Sequence, residues 1–383
     1  MMNIDEVLTR GVSEILPDKK GLSQLMAKRK IKLYQGFDPS MPSLHLGHFV
    51  GLMKLRQFQK LGHKVIFLVG DFTGMIGDPT DKLNTRPKLS REQVFENAKS
   101  WKKQISMVLD TKGDNPVKVM FNSEWSDKIN FKDLIETTSN FTVQQMLERD
   151  MFQERLRKNE PIFLHEFLYP IAQAQDSIAM NVDLEIGGND QLFNMMAGRT
   201  LMKAVKNKEK YVLTTKLLVD KDGKKAGKTT GNALFLDSTP ENFFGGIMSF
   251  PDEVIYLSYE LLTEISLAGL AEKIKNNPME EKKKLAWEIV KFLWGETSAN
   301  SAKEKFEKTF QKKEIPTTTN TQKPGTLGDI VSKVVGSKSE AKRLIFQNAI
   351  EVNGNVISDL SYILNGGESV KIGKKKFIKI KSS

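Results

Sequence analysis

The chain has 383 residues, 39% hydrophobic and 27% charged, an ordinary balance for a folded protein long enough for two or three domains. It contains no cysteine, which excludes disulfides, thiolate catalysis and cysteine-ligated zinc or iron–sulfur centres, and no apolar run approaches the roughly 20 residues of a membrane helix. Net charge is +11, and Pro324 to Ser383 alone holds ten Lys or Arg against five Asp or Glu, a net of +5, so a polyanion partner is to be sought there first.

The start, Met1 to Glu6, has neither a basic nor an apolar leader region, which predicts no secretory signal; with the missing cysteines this fits a cytoplasmic protein. Ile31 to Phe37 reads as a strand, and Asp38-Pro39-Ser40-Met41-Pro42-Ser43 as a turn. From about Leu44 to Leu61 apolar residues recur at helical spacing, with Gly62 as a stop, and Val65 to Val69 is a short apolar run suited to a buried parallel strand. Strand, helix, strand in that order predicts a βαβ unit and an α/β sheet. Residues 122–165 read as a polar helical insertion. A second unit follows, with a helix near Phe167–Asn181, the strand Asp183 to Ile186, a glycine turn and a helix from about Leu192. From Pro240 to about Gln311 the pattern is helical, and the Thr- and Pro-rich stretch from Ile315 to Gly325 reads as a linker before a small module.

His45-Leu46-Gly47-His48 lies where a strand has ended and a helix begins, so free N–H groups and the positive helix end face any anion bound there. The histidines share one helix face, and Gly47 lets a flat base or ribose approach the backbone. Two surface histidines at a helix start are the plainer reading; against it, the chain has only 4 histidines and two lie here. Lys225-Ala226-Gly227-Lys228-Thr229-Thr230-Gly231-Asn232 is either a solvated basic loop or a clamp whose cations stabilise charge on transferring phosphates. There is no GxxxxGK[ST] loop. Tyr169, Gln173 and Asp176 fall at i, i+4, i+7 on one helix face.

The pairing of HxGH with a later KxxKT element resembles the two signatures of class I aminoacyl-tRNA synthetases. Ala226, Gly227 and Thr229 depart from the usual KMSKS, while both lysines, Gly231 and Asn232 remain. Tyr34 to Ser40, Gly70 to Pro79, the Tyr169/Gln173/Asp176 triplet and Gly187 to Gln191 look like the tyrosyl branch, and the likeness runs from about Tyr34 to the C-terminus. The resemblance implies a tyrosine–tRNA ligase that makes tyrosyl-adenylate from L-tyrosine and ATP, then loads tRNA(Tyr). Asp176 would accept the phenol hydrogen and Tyr34 would donate to its oxygen. Tyr169, Gln173, Asp78 and Gln191 would hold the ammonium end. Gly36, Asp38, His45, Gly47, His48, Gly188 and Asp190 would meet ATP, and Lys82, Arg86, Lys225, Lys228 and Thr229 the departing pyrophosphate. Mg²⁺ would arrive with ATP, with no metal held by the protein itself.

The implied fold is α/β: a Rossmann-like parallel-sheet catalytic domain over 1–239 with its insertion at about 122–165 and its loop at 222–232. A helical anticodon-binding domain over 240–314 and a linker over 315–325 would follow. Residues 326–383 resemble an S4-like α+β RNA-binding domain, through Ser337 to Arg343 and Ile350 to Val356 with an Asn353-Gly354 hairpin turn. There Lys338, Lys342, Arg343, Lys371, Lys374, Lys375 and Lys376 would meet RNA phosphates. A homodimer through the insertion, with no membrane contact, is also implied. Two rivals stand beside this: a synthetase-like RNA-binding scaffold, against which the intact HLGH, loop lysines and Tyr34/Asp176 pair argue, and another HxGH nucleotidylyltransferase, which would not need the C-terminal regions. The tryptophanyl relatives have no reason for a phenol-reading pair.

Overall fold

The computed structural model describes residues 3–79, 89–219, 234–311, 320–373 and 376–381. The chain divides into two compact units, 1–299 and 300–383. The first is built on six strands, β1 (Val12–Leu16), β2 (Lys32–Phe37), β3 (Lys64–Val69), β4 (Lys118–Phe121), β5 (Leu184–Gly188) and β6 (Tyr211–Thr215). They lie in the order β1-β6-β5-β2-β3-β4. All neighbours pair parallel except β1, which runs antiparallel along β6 and was not foreseen as a strand.

The order reverses at β2, which has β3 on one side and β5 on the other, and a crevice opens there beyond the carboxyl ends of the strands. Three helices frame it: α1 (Leu46–Lys60), α2 (Leu164–Met180) and α3 (Leu192–Lys206). The predicted βαβ unit is therefore β2-α1-β3. Helix α1 buries Leu46, Phe49, Leu52, Met53, Leu55 and Phe58. At about 1.5–3 kcal/mol per fully buried large apolar side chain, that face anchors the start of α1 firmly to the sheet. Asn181 closes α2 in the left-handed conformation with φ 48°, a role asparagine fills at lower strain than most residues.

The helices after Pro240, expected as a domain of their own, belong up to residue 299 to the first unit. They include α4 (Pro240–Met248), α5 (Ile255–Leu262) and α6 (Pro278–Trp294). Arg10 donates to the carbonyls of Tyr259, Glu260 and Ile265 at 2.8, 3.0 and 2.6 Å, and the Glu260 carboxylate accepts from Gly11 N–H and Lys216 at 2.8 Å each. These bonds satisfy the ends of α5 and fix it beside the β1 edge.

In the second unit, α7 (Leu327–Val335) and α8 (Lys338–Phe346) accompany β7 (Asn320–Gln322), β8 (Gly325–Thr326), β9 (Ile350–Val352), β10 (Asn355–Val356), β11 (Ile363–Leu364), β12 (Ser369–Ile372) and β13 (Lys376–Ile380). Residues 320–322 and Gly325, expected as linker, instead pair with β13 and β11. The predicted hairpin joins β9 to β10, with Asn353 and Gly354 at φ 48° and 86° as such a turn demands. Leu327, Ile330, Val331, Ile345, Ile350, Val370 and Ile378 form an apolar core of its own.

Candidate active site

The crevice at β2 is a cavity of about 260 Å³ lined by the ends of β2 and β5, the start of α1 and one face of α2. Asp38, just past β2, accepts from the Tyr169 hydroxyl at 2.8 Å and from Thr73 Oγ1 at 2.6 Å. The turn after β2 is thereby tied to the middle of α2. Gly188 ends β5, and a Cβ there would lie 2.5 Å from Asp190 Oδ1, so any larger residue would displace the Asp190 carboxylate.

At one group of polar side chains, Tyr169, Gln173, Asp78 and Gln191 converge. Gln191 Nε2 donates to Asp78 Oδ2 at 2.7 Å, and Arg149 stands 3.6 Å from Asp78 Oδ1. Gln173 Nε2 donates backward to Glu185 Oε1 at 2.8 Å. Burial, with the Asp38 and Asp78 carboxylates behind it, pushes the Tyr169 phenol well above its ordinary range, so it stays protonated and donates. Carboxylates and amide oxygens here make a setting for an ammonium group.

Asp176 and Tyr34 form a second group, both fully buried. Asp176 Oδ1 accepts from Trp125 Nε1 at 2.9 Å, and Oδ2 from Asn122 Nδ2 at 3.4 Å. Burial raises the Asp176 carboxyl well above the usual carboxylate range, and these two hydrogen bonds oppose that rise. The Tyr34 hydroxyl lies 3.0 Å from Ser177 Oγ, and burial foremost pushes its ionisation up as well. One acid and one phenol hydroxyl therefore face a cavity from adjoining elements, an arrangement that reads a group able both to donate and to accept.

The HLGH tetrapeptide starts α1 as expected, with His45 as the N-cap. Its Nδ1 accepts from Gly47 N–H at 3.0 Å, while His48 Nδ1 accepts from His45 N–H at 3.1 Å, and the rings stack at 3.8 Å. A Cβ on Gly47 would stand 2.8 Å from the His45 ring, so any side chain there would push that capping ring aside. Leu46 N–H donates to Leu234 O, and Leu236 N–H to Leu44 O, both at 2.8 Å. Leu217 and Leu218 line the cavity. Both described flanks of the basic segment are thus brought to the HLGH site.

Tyr34, Gly36, Asp38, His45, Gly47, His48, Asp78, Tyr169, Gln173, Asp176, Gly188, Asp190 and Gln191 all line this one cavity. Lys82, Arg86, Lys225, Lys228, Thr229, Lys374 and Lys375 lie outside the described residues. In the second unit Lys338 opens α8, Lys342 is exposed, and Arg343 pairs with Glu340 at 2.6 Å. Among the described residues no cluster of three His, Asp or Glu side chains is placed to hold a metal ion, and no helix is long and apolar enough to cross a membrane.

Sequence reading missed Asn122, Trp125 and Arg149, which it assigned to a polar insertion, and Ser177, Glu185 and Lys210 behind the cavity. Two signals were available: a tryptophan in an otherwise polar stretch, and a glutamate inside a strand of an α/β sheet, where strands are commonly buried on both faces.

Comparison with known proteins places this geometry. The family model described as tRNA synthetases class I (W and Y) matches residues 26–311, and the S4 domain model matches 330–370. The chain is 42% identical to the tyrosine–tRNA ligase of Aquifex aeolicus, over 98% of each chain. It is 41% identical to that of Thermotoga maritima, over 98% of this chain and 96% of the relative. Among solved structures, a C-terminally truncated mitochondrial tyrosyl-tRNA synthetase of Coccidioides posadasii superposes with a TM-score of 0.65 at 24% identity, covering 79% of this chain and 90% of that one. The Archaeoglobus fulgidus tyrosyl-tRNA synthetase, solved with L-tyrosine, gives a TM-score of 0.61 at 22% identity, covering 79% and 100%.

Proposed function

The chain belongs to the tyrosine–tRNA ligases among the class I tRNA synthetases, and on that premise we propose how its residues divide the work. The reaction has two steps. Tyrosine and ATP give tyrosyl-adenylate and pyrophosphate; the 3′-terminal adenosine of tRNA(Tyr) then takes the tyrosyl group and AMP leaves.

The observation that carries the substrate reading is the buried Asp176/Tyr34 pair facing the same cavity as Tyr169 and Gln173. Asp176 accepts the phenol hydrogen and Tyr34 donates to the phenol oxygen. An indole N–H can only donate, so tryptophan would leave Tyr34 without an acceptor. Tyr169, Gln173, Asp78 and Gln191 take the ammonium group. Gly36, Asp38, Gly47, Gly188 and Asp190 meet the nucleotide, with His45 and His48 at the positive end of α1 beside its phosphates.

In the first step the tyrosine carboxylate attacks the α-phosphate and pyrophosphate departs. No proton need be moved by a side chain; orientation and charge stabilisation carry the rate. Lys225 and Lys228, with Lys82 and Arg86, neutralise the departing pyrophosphate, Thr229 donates a hydrogen bond to it, and Mg²⁺ accompanies ATP as part of the substrate. The described flanks of the 220–233 segment, held at the HLGH site, support this. Lys228→Ala is expected to lower the rate of ATP–pyrophosphate exchange by about a hundredfold, roughly 3 kcal/mol for one positioned charge, with tyrosine affinity little changed. Equal exchange rates in variant and parent would remove the loop from the step.

The helices of 240–314 take the anticodon arm, and the module over 326–383 grips tRNA phosphates through Lys338, Lys342, Arg343, Lys374 and Lys375. The working form is a homodimer. Supporting it, Phe131 and Leu164 in and beside the insertion are 77% and 83% exposed, and Ile135, Val143, Leu156 and Phe163 are exposed with them, apolar surface that a partner subunit would cover. Serving translation, the protein works in the cytoplasm.

A further inference from the structure

Behind the cavity lies a polar cluster that does not line it. Lys210, just ahead of β6, and Glu185 on β5 form an ion pair with side chains 0% and 2% exposed. Tyr34 sits beside Glu185 in the β2–β5 register. Gly198 on α3 makes the room: a Cβ there would stand 2.4 Å from Lys210 Nζ, 2.9 Å from Ser177 Oγ and 3.3 Å from Glu185 Oε2. Glycine is a poor residue for a helix interior, so this helix gives up stability to hold the cluster.

We propose that the Lys210–Glu185 pair, acting through Ser177, fixes the direction of the hydrogen-bonding groups of Tyr34 and Gln173, and so sets tyrosine selectivity from behind the pocket. The inference rests on the reading of this cavity as the tyrosine site.

The donors and acceptors of this cluster set the direction of each hydrogen bond in it. An ammonium has three hydrogens and no acceptor. Those of Lys210 go to Glu185 Oε2, to Ser177 Oγ at 3.0 Å and to the carbonyl of Met195 at 3.1 Å. Ser177 Oγ, already accepting, turns its own hydrogen to Tyr34 Oη, 3.0 Å away. Tyr34 Oη then accepts from behind and sends its hydrogen forward, to the oxygen of a bound phenol. The Glu185 carboxylate also faces Tyr34, but its oxygens already accept from Lys210 and from Gln173 Nε2 at 2.8 Å, which leaves it the weaker remaining acceptor once a phenol oxygen is bound in front. A carboxylate only accepts, so it holds the amide nitrogen of Gln173 backward and the amide oxygen forward, where an ammonium donates to it. One ion pair thus sets a donor at one end of tyrosine and an acceptor at the other. Ser177, Glu185 and Lys210 are positioning residues.

Ser177→Ala tests the relay without breaking the ion pair. The ratio of kcat/KM for tyrosine to that for phenylalanine in ATP–pyrophosphate exchange is expected to fall about tenfold, the scale of one oriented hydrogen bond. In a Tyr34→Phe background the same substitution is expected to change nothing, because Ser177 acts only through the hydroxyl that is gone. A merely structural serine would have the same effect in both backgrounds, and that result would overturn the relay. For the other arm, Glu185→Gln is expected to weaken tyrosine about tenfold more than it weakens 3-(4-hydroxyphenyl)propionate, which has no ammonium and so reports only the Tyr34 end. Equal weakening of both compounds would overturn it. Should the double variant Glu185→Gln/Lys210→Met be needed for a stable fold, the same comparison applies to it. If the parent protein shows no preference for tyrosine over phenylalanine, the site reading itself fails; if it does and Ser177→Ala is neutral, only the relay does.

Discussion

Asparagine at position 176 is expected to cut kcat/KM for tyrosine by on the order of a hundredfold, the equivalent of about 3 kcal/mol for a hydrogen bond to a charged acceptor. The same change should alter how stability depends on pH. Burial raises the Asp176 carboxyl well above its ordinary 3.8, so between that value and the raised one the folded chain binds a proton that the unfolded chain has released. Stability from this group therefore declines as pH rises through that window, and the decline is complete above the raised value. A neutral amide has no such term. The stability of the Asp176→Asn variant, measured by urea unfolding relative to the parent, is expected to shift in the variant's favour as pH increases from 4 toward neutrality. Tyrosine binding in the parent should weaken as pH falls through the same window, as the acceptor is protonated. A variant with undiminished exchange and a parallel pH–stability curve would mean that Asp176 neither reads the phenol nor bears a cost of burial.

Removal of the chain after Thr319 is the second large effect. The cut falls just ahead of β7, whose pairing with β13 makes it part of the second unit's sheet. Residues 320–383 hold that unit's apolar core, so their loss leaves the sheet, the HLGH turn and the Asp176 pocket of residues 1–299 intact. Tyrosine activation is expected to persist within about twofold, whereas transfer to tRNA at moderate salt should fall by about a hundredfold, because several phosphate contacts disappear together. Full-length protein should lose tRNA affinity steeply with added salt and the shortened chain less so. The shortened protein should still sediment as a dimer, since the exposed apolar side chains around the insertion remain. Undiminished charging would return the basic C-terminus to the status of a solvated surface.

The parts of the site that sequence made legible are those whose chemistry is local. HLGH announces itself because capping, a glycine with no room for a Cβ and paired imidazoles all lie within one turn. Tyr169, Gln173 and Asp176 show their common face through helical period alone. What stayed hidden depends on contacts set by the sheet. Tyr34 and Glu185 become neighbours only when β2 pairs with β5, and Lys210 reaches them only because β6 follows. Asn122 and Trp125 hold Asp176 from a segment whose polarity reads as surface, since each presents one donor inward from a turn that is otherwise hydrated. Where one packed unit ends and the next begins depends on such contacts too. A stretch rich in Thr and Pro looks like linker until an edge strand across the unit offers it backbone partners, and the helices after Pro240 look independent until Arg10 binds their carbonyls.

The central claim is that this cavity selects tyrosine and activates it with ATP. Its most direct test is ATP–pyrophosphate exchange by the full-length protein with each of the twenty standard amino acids offered alone. Exchange with tyrosine, and with phenylalanine and tryptophan far below it, is the predicted result. Exchange driven best by any other amino acid, or by none, would contradict the account.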